Sequence, residues 1–215
     1  VYNSLFKFGF GFIEVGTVTP KQQFGNPKPR IFRLEKDQAL INRLGFNNHG
    51  SETVSRRISN NYPDGFLGIN IGPNKETKNK EDDYYICLSR LGMYAGYVTI
   101  NISSPNTEGL RDFHDQEAMK KLLFGINKII KEKKIECPVA IKISPDIKDD
   151  EIGKIVDLVS SHKIQGIIVS NTTDSNRDNL SDIKKHETGG LSGQPLRDIS
   201  TNLIKKFYKE TKGKI

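Results

Sequence analysis

The chain has 215 residues, of which 35% are hydrophobic and 27% charged, a composition too apolar for a disordered chain. No run approaches the about 18 apolar residues of a membrane span, and two cysteines are too few for a disulfide scaffold. The net charge is +7, but basic and acidic residues are mixed, and the four histidines lack metal-ligand spacing, so we expect neither a nucleic-acid partner nor a metal.

Five short runs of apolar and β-branched residues recur along the chain and predict strands. They lie at 12–17, 67–70, 97–101, 139–142 and 166–171. The last four runs are almost wholly apolar, which is typical of strands that are buried on both faces.

Helical periodicity occupies the segments between these runs. Apolar residues at i, i+3, i+4 and i+7 predict helices within 82–91, 122–130, 152–159 and 203–208. Gly92 is expected to end the first of them, and Asp198 or Ser200 to cap the last. Since strands and helices alternate without a linker, we expect residues 1–215 to form one domain with parallel strands.

Each predicted strand ends in a residue that can form hydrogen bonds: Thr17, Asn70, Asn101, Lys142, and Ser170 with Asn171. A doubly wound sheet fits the order of elements, but a (β/α)₈ barrel would gather all of these ends at one mouth, where barrel enzymes have their sites. A full barrel needs about 250 residues, so five strands predict an incomplete α/β barrel. We interpret the chain as an internal segment of a longer protein.

Two features could carry chemistry. Residues 101–111 follow a strand and are rich in hydroxyl and amide groups, which is typical of a functional loop and also of a polar turn. Lys142 ends an otherwise apolar strand, where it could pair with an anionic cofactor group or form a Schiff base. Residues 189–193 precede a helix and fit an anion site or a flexible turn equally well.

Several motifs, taken in order, resemble the quinone-using dihydroorotate dehydrogenases. They are 8–20 (FGFGFIEVGTVTP), 25–30 (GNPKPR), 41–47 (INRLGFN), 101–111 (NISSPNTEGLR), 142–146 (KISPD), 170–173 (SNTT) and 189–197 (GGLSGQPLR). The resemblance covers essentially the whole chain. It implies an FMN enzyme on a (β/α)₈ barrel that oxidises dihydroorotate to orotate in pyrimidine biosynthesis and passes the electrons to ubiquinone.

The resemblance also implies roles for individual residues. Ser104 corresponds to the base that takes the C5 proton, assisted by Thr107 and Phe46, and serine at this position favours the quinone class. The implied substrate contacts are Asn42, Gly45, Phe46, Asn101, Asn106, Asn171 and Thr172. The implied FMN contacts are Thr17, Asn70, Asn101, Lys142, Ser170, Ser192 and Gly193. Arg33 corresponds to a residue of the quinone tunnel.

A location at the mitochondrial inner membrane follows from the same resemblance, with attachment through an N-terminal segment that lies before Val1. Strands that hold the FMN phosphate would lie after Ile215. Two alternatives stay open: a barrel aldolase that uses Lys142 as a Schiff-base nucleophile, and a non-catalytic binding or structural module. The intact set of Ser104, Lys142 and several amide side chains speaks against the second.

Overall fold

The computed structural model describes residues 2–106, 109–175 and 177–215. In these ranges the strands are β1 (Phe12–Val18), β2 (Ile31–Leu34), β3 (Ala39–Asn42), β4 (Phe66–Ile71), β5 (Tyr97–Asn101), β6 (Val139–Ile143), β7 (Gly166–Val169) and β8 (Gly190–Gly193). The helices are α1 (Tyr2–Phe6), α2 (Ser51–Asn60), α3 (Lys80–Leu91), α4 (Gln116–Lys133), α5 (Asp149–Ser161) and α6 (Gln194–Thr211).

The main sheet contains the five predicted strands in the order β1-β4-β5-β6-β7, and all four neighbouring pairs are parallel. Helices α3, α4 and α5 make the crossovers between successive strands from β4 to β7. In a (β/α)₈ barrel the repeating unit is a strand followed by a helix, and each helix connects one strand to the parallel strand beside it. The prediction of an incomplete barrel with five parallel strands is therefore confirmed.

The two faces of this sheet differ in character. On one face Ile69, Ile100 and Ile141 are fully buried and pack in a single core with Leu88 of α3 and Ile126 of α4. Burial of each such side chain contributes roughly 1.5–3 kcal/mol. Since side chains alternate along a strand, the other positions point to the opposite face, which we call the open face. It carries Glu14, Asn70, Thr99, Asn101 and Lys142.

A second sheet was not predicted from the sequence. It is antiparallel, in the order β2-β3-β8, and buries Phe32, Leu34, Ile41 and Leu191 in a small core of its own. Its strands have only four residues each and lie among turn-forming residues, so they gave little periodic signal. Helices α1 and α2 were also missed.

The C-terminal helix differs from the prediction. Strand β8 covers Gly190–Gly193, which the sequence suggested as a turn, and α6 begins directly after it at Gln194. The proposed caps Asp198 and Ser200 were therefore wrong, because both lie inside the helix. Across the described ranges, no helix combines the length and apolar character needed to cross a bilayer.

Strand β1 contains a bulge at Gly16. Val15 pairs with Ile69 but Val18 pairs with Ile71, so β1 has one residue more than β4 in this interval. The extra residue reverses the alternation, which directs Thr17 to the open face and buries Val18 in the core. Gly16 has φ of +139°, and a Cβ there would lie 2.4 Å from the carbonyl oxygen of Asn70.

We expect Gly16→Ala to destabilise the intact protein by roughly 1–3 kcal/mol or more, because it adds a steric overlap and a strained φ. The measurement is urea unfolding followed by circular dichroism. Gly11→Ala is the matched control, since nothing lies within 4 Å of a Cβ at that position, and its effect should stay within about 0.5 kcal/mol. Equal losses in the two variants would contradict the packing argument.

Candidate active site

One cavity, of about 280 Å³, lies where the parallel strands end. Its lining brings together ten residues that the resemblance implied: Thr17, Asn42, Gly45, Phe46, Asn101, Ser104, Asn106, Lys142, Asn171 and Thr172. Seven of them lie at or after the C-terminal ends of parallel strands, which share one edge of the main sheet. The other three, Asn42, Gly45 and Phe46, lie at or after the end of β3 in the antiparallel sheet. The structure thus places these residues together, while their individual roles stay predictions.

The other residues implied by the resemblance lie around this cavity or farther away. Asn70 is buried beside it and accepts a hydrogen bond from Thr17 Oγ1 at 2.7 Å. Ser170 follows β7, and its Oγ donates to the carbonyl oxygen of Asn171 at 3.1 Å.

Three further predicted residues belong to other parts of the chain. Ser192 lies on β8, where its Oγ donates to the carbonyl oxygen of Leu40 at 3.3 Å, and Gly193 ends the same strand. Arg33 is exposed on β2. Thr107 lies outside the described residues.

A continuous series of hydrogen bonds, which we call the amide chain, joins the polar ends of four strands. Asn171 Nδ2 donates to Ser103 Oγ at 2.9 Å, and this hydroxyl donates to Asn101 Oδ1 at 2.7 Å. Asn101 Nδ2 donates to Thr17 Oγ1 at 3.1 Å, and Thr17 Oγ1 donates to Asn70 Oδ1 at 2.7 Å. Each bond satisfies a polar group that would otherwise be unpaired in the protein interior. Ser103, which the sequence reasoning did not select, is thus a central link.

Ser104 is almost fully buried, with 4% of its surface exposed. Its Oγ accepts a hydrogen bond from the backbone N–H of Asn106 at 3.2 Å. The Asn106 side chain in turn donates to the carbonyl oxygen of Asn42 at 3.2 Å, which joins the loop after β5 to the end of β3. A backbone N–H directed at Oγ stabilises negative charge on that oxygen, so this geometry suits a serine that gives up its proton.

Phe46 borders the same cavity with φ of +53°, a backbone conformation that a bulky residue rarely adopts. Two side-chain amides hold this turn: Gln23 Nε2 donates to the carbonyl oxygen of Gly45 at 2.9 Å, and Asn48 Nδ2 donates to that of Phe46 at 2.8 Å. Strain of this kind persists only where surrounding contacts enforce it, and it is concentrated at functional sites.

A charged cluster connects the loop after β5 with the loops after β6 and β7. Arg111 donates to Asp146 and to Asp174, each at 2.9 Å. Asp146 also accepts hydrogen bonds from the hydroxyls of Thr173 and Ser175. Burial raises the pKa of Asp146, but the hydrogen bonds from Thr173, Asp174 and Ser175, together with Arg111, outweigh it and leave the pKa below its usual range. The carboxylate therefore stays ionised and holds the three loops together.

His114 lies close to this cluster. The pKa of its imidazole is lowered to about 4, mainly by burial and also by Arg111, against the opposing effects of Glu151 and Asp146. The backbone N–H of Ser144 donates to His114 Nε2 at 3.5 Å, which requires an unprotonated nitrogen. His114 is therefore neutral near pH 7.

The donor set of the cavity suits a flat, oxygen-rich ring that can carry negative charge. Amide and hydroxyl groups offer hydrogen bonds to ring carbonyls. Lys142 lies beside Asn101 in the sheet, and no residue of the described ranges forms a hydrogen bond or ion pair with its ammonium, which leaves it free for an anionic partner. The flavin ring of the expected FMN has both carbonyl groups and a nitrogen that gains negative charge on reduction, so these residues fit it.

Comparison with known proteins gives a consistent result. The sequence profile described as dihydroorotate dehydrogenase matches residues 1–215. A protein of Klebsiella pneumoniae named dihydroorotate dehydrogenase (quinone) is 47% identical over 225 residues, and one of Yersinia pseudotuberculosis with the same name is 45% identical over 224 residues. Each alignment covers 99% of this chain and 65% of the relative, so the chain spans about 65% of the length of these relatives.

Solved structures are similar as well. The crystal structure of DHODH from Eimeria tenella in complex with ferulenol has a TM-score of 0.90 to this chain and 40% sequence identity, and the match covers 97% of this chain and 62% of that one. The ligand-free form from the same organism also has a TM-score of 0.90 and 40% identity, over 96% of this chain and 64% of the other.

We expect the free energy of unfolding of the intact protein to decrease as the pH falls from about 6.5 to about 4, in part because of His114. Its folded-state pKa lies below the ordinary value, so protonation favours the unfolded chain, by roughly 3 kcal/mol over this range. His114→Gln should remove that part of the pH dependence in urea unfolding measured at several pH values. The exposed His186→Gln is the control, and identical pH profiles for all three proteins would contradict the assignment.

Proposed function

Because this chain belongs to the dihydroorotate dehydrogenase family, we propose that it supplies the active site for oxidation of dihydroorotate to orotate, a step of pyrimidine biosynthesis. The names of the relatives support a quinone as the electron acceptor, and ubiquinone is the one we propose. The observation that carries the proposal is that Ser104, Lys142 and Asn171 line one and the same cavity. Family membership also favours flavin chemistry over the Schiff-base alternative for Lys142.

FMN is the proposed cofactor, and when bound it supplies the acceptor for the hydride from C6 of the substrate. The residues that would hold it are Thr17, Asn70, Asn101, Lys142, Ser170, Ser192 and Gly193. The ammonium of Lys142 would stabilise negative charge that accumulates beside it in the two-electron step, an effect worth several kcal/mol where water is excluded.

The amide side chains of the cavity would orient the substrate. Asn42, Asn101, Asn106, Asn171 and Thr172 offer both donors and acceptors, which suits a planar ring with several N–H and carbonyl groups. An analogue that lacks one of these groups would leave a buried amide unpaired, so such a site selects strongly against it.

Ser104 would act as the base that removes the C5 proton. A serine hydroxyl has a pKa far above neutrality, so it needs a stabilised oxyanion and an onward route for the proton. The N–H of Asn106 supplies the first by donating to Ser104 Oγ. For the second we propose a relay to water through Thr107, shielded by the ring of Phe46.

The quinone site and the cellular location are proposals of the same kind. Arg33 is exposed on β2, where its guanidinium can face an incoming quinone. A lipid-soluble acceptor favours a membrane location for the intact enzyme. We propose the mitochondrial inner membrane, which is the location implied by the sequence resemblance.

We expect Ser104→Ala in the intact holoprotein to retain FMN while its reduction by dihydroorotate slows by at least about 100-fold, because the proton acceptor is lost. The measurement is flavin absorbance in an anaerobic stopped-flow experiment. Ser59→Ala, at an exposed serine of α2, is the matched control and should react at the normal rate.

A normal rate of flavin reduction in Ser104→Ala would defeat the assignment of the base. Loss of FMN from that variant, with the protein still folded, would instead show that Ser104 supports cofactor binding.

A further inference from the structure

Glu14 is a charged residue on the open face of β1 that the proposed mechanism does not use. Its carboxylate accepts three hydrogen bonds from the next two strands of the sheet, β4 and β5. Asn70 Nδ2 donates to Oε1 at 2.9 Å, Thr99 Oγ1 donates to Oε2 at 2.7 Å, and the Tyr97 hydroxyl donates to Oε2 at 3.0 Å. The carboxylate therefore connects β1 to β4 and β5 just before the bulge that presents Thr17.

All the hydrogen bonds of the amide chain run in one direction, from Asn171 toward Asn70. Hydroxyl groups can donate or accept and amide groups can turn over, so such a chain could in principle run either way. An ionised carboxylate can only accept. Glu14 is the acceptor at the end of the chain, because Asn70 passes its own N–H to it.

We propose that Glu14 is a positioning residue that fixes the orientation of the amide groups in the active site. With a carboxylate at Oε1, Asn70 must turn its NH₂ group to Glu14 and its oxygen to Thr17. Thr17 must then donate, so Asn101 has to present its NH₂ group to Thr17 and its oxygen to Ser103. The direction set at one carboxylate is thereby passed to the side chains that line the cavity.

This orientation determines what the site offers to a ligand. In the described part of the chain, Asn70, Asn101 and Asn171 each use one N–H in this series and have a second N–H left over. These three amides therefore present N–H donors and suit the carbonyl and carboxylate oxygens of a ligand. The inference rests on the proposed function, since dihydroorotate and the flavin ring are both ligands of this kind.

A purely structural role for Glu14 makes a different prediction. If its task were only to accept hydrogen bonds from Tyr97 and Thr99, removing the Thr99 hydroxyl would be as harmful as changing Glu14. If its task is to orient Asn70, then Thr99→Val should be nearly neutral, because that hydroxyl meets Oε2 and not the oxygen bonded to Asn70.

The test is Glu14→Gln in the intact protein. Glutamine keeps the size of the side chain but can present an NH₂ group to Asn70. The direction of the hydrogen bonds in the amide chain is then no longer imposed. Apoprotein is titrated with FMN to obtain Kd, and kcat and KM for dihydroorotate are measured on the FMN-loaded protein. We expect Kd for FMN and KM for dihydroorotate each to rise about tenfold, with a smaller change in kcat, and Thr99→Val to stay within about twofold.

A double-mutant cycle with Thr17→Val tests whether the effect of Glu14 is transmitted along the amide chain. That substitution removes the hydrogen bonds that link Asn70 to Asn101, so Glu14→Gln should have no further effect on KM in this background. Full additivity of the two substitutions, a Glu14→Gln protein with normal Kd and KM, or an equal loss in Thr99→Val would each overturn the proposal.

Two further measurements distinguish a failure of this inference from misfolding of the variant and from a failure of the proposed function. Circular dichroism establishes whether Glu14→Gln is folded. If it is not, the same titration is made with Glu14→Ala, which leaves the amide chain without its terminal acceptor, and a normal Kd for FMN in that variant would overturn the inference. A wild-type holoprotein that dihydroorotate fails to reduce would refute the proposed function, whereas the FMN titration would still decide the role of Glu14.

Discussion

The site depends on one constraint: polar side chains at the ends of parallel strands must find hydrogen-bond partners in the protein interior. In this chain they find one another. Asn101 of β5 bonds to Thr17 of β1, and through Ser103 it reaches Asn171 after β7. Because each bond uses the donor of one group and the acceptor of the next, no single member can turn alone without breaking the series, and Glu14 accepts at its end. The cavity is therefore lined by groups whose orientation is set before any ligand arrives, which lowers the cost of binding.

Local backbone features make this arrangement possible. The bulge at Gly16 brings Thr17 onto the open face, and only glycine allows β1 to approach the carbonyl oxygen of Asn70 so closely. The strained turn at Phe46 is held by side-chain amides from outside the cavity. The cluster around Asp146 joins three loops through an ionised carboxylate. The unfavourable backbone conformation of Phe46 is thus maintained by hydrogen bonds from neighbouring segments.

Sequence patterns predicted the strands and helices that repeat along the chain. They did not reveal the features that depend on contacts between distant segments. Runs of β-branched residues located the five parallel strands, and apolar periodicity located α3 to α6, although α6 begins at Gln194 without the expected caps. The four-residue strands of the antiparallel sheet have too little pattern to detect. Most residues of the cavity were predicted from the family resemblance. Glu14 and Ser103 escaped notice because their significance depends on the register between strands, which places their partners beside them.

We propose that dihydroorotate delivers its electrons at the cavity where the strands end. The most direct measurement is anaerobic stopped-flow of the intact holoprotein, first with dihydroorotate and then with a short-chain ubiquinone, fumarate or NAD as oxidant. We predict complete reduction of the flavin by dihydroorotate and reoxidation by the quinone at least about tenfold faster than by fumarate or NAD. A flavin that dihydroorotate does not reduce, or one that fumarate or NAD reoxidises faster than the quinone, would contradict the account.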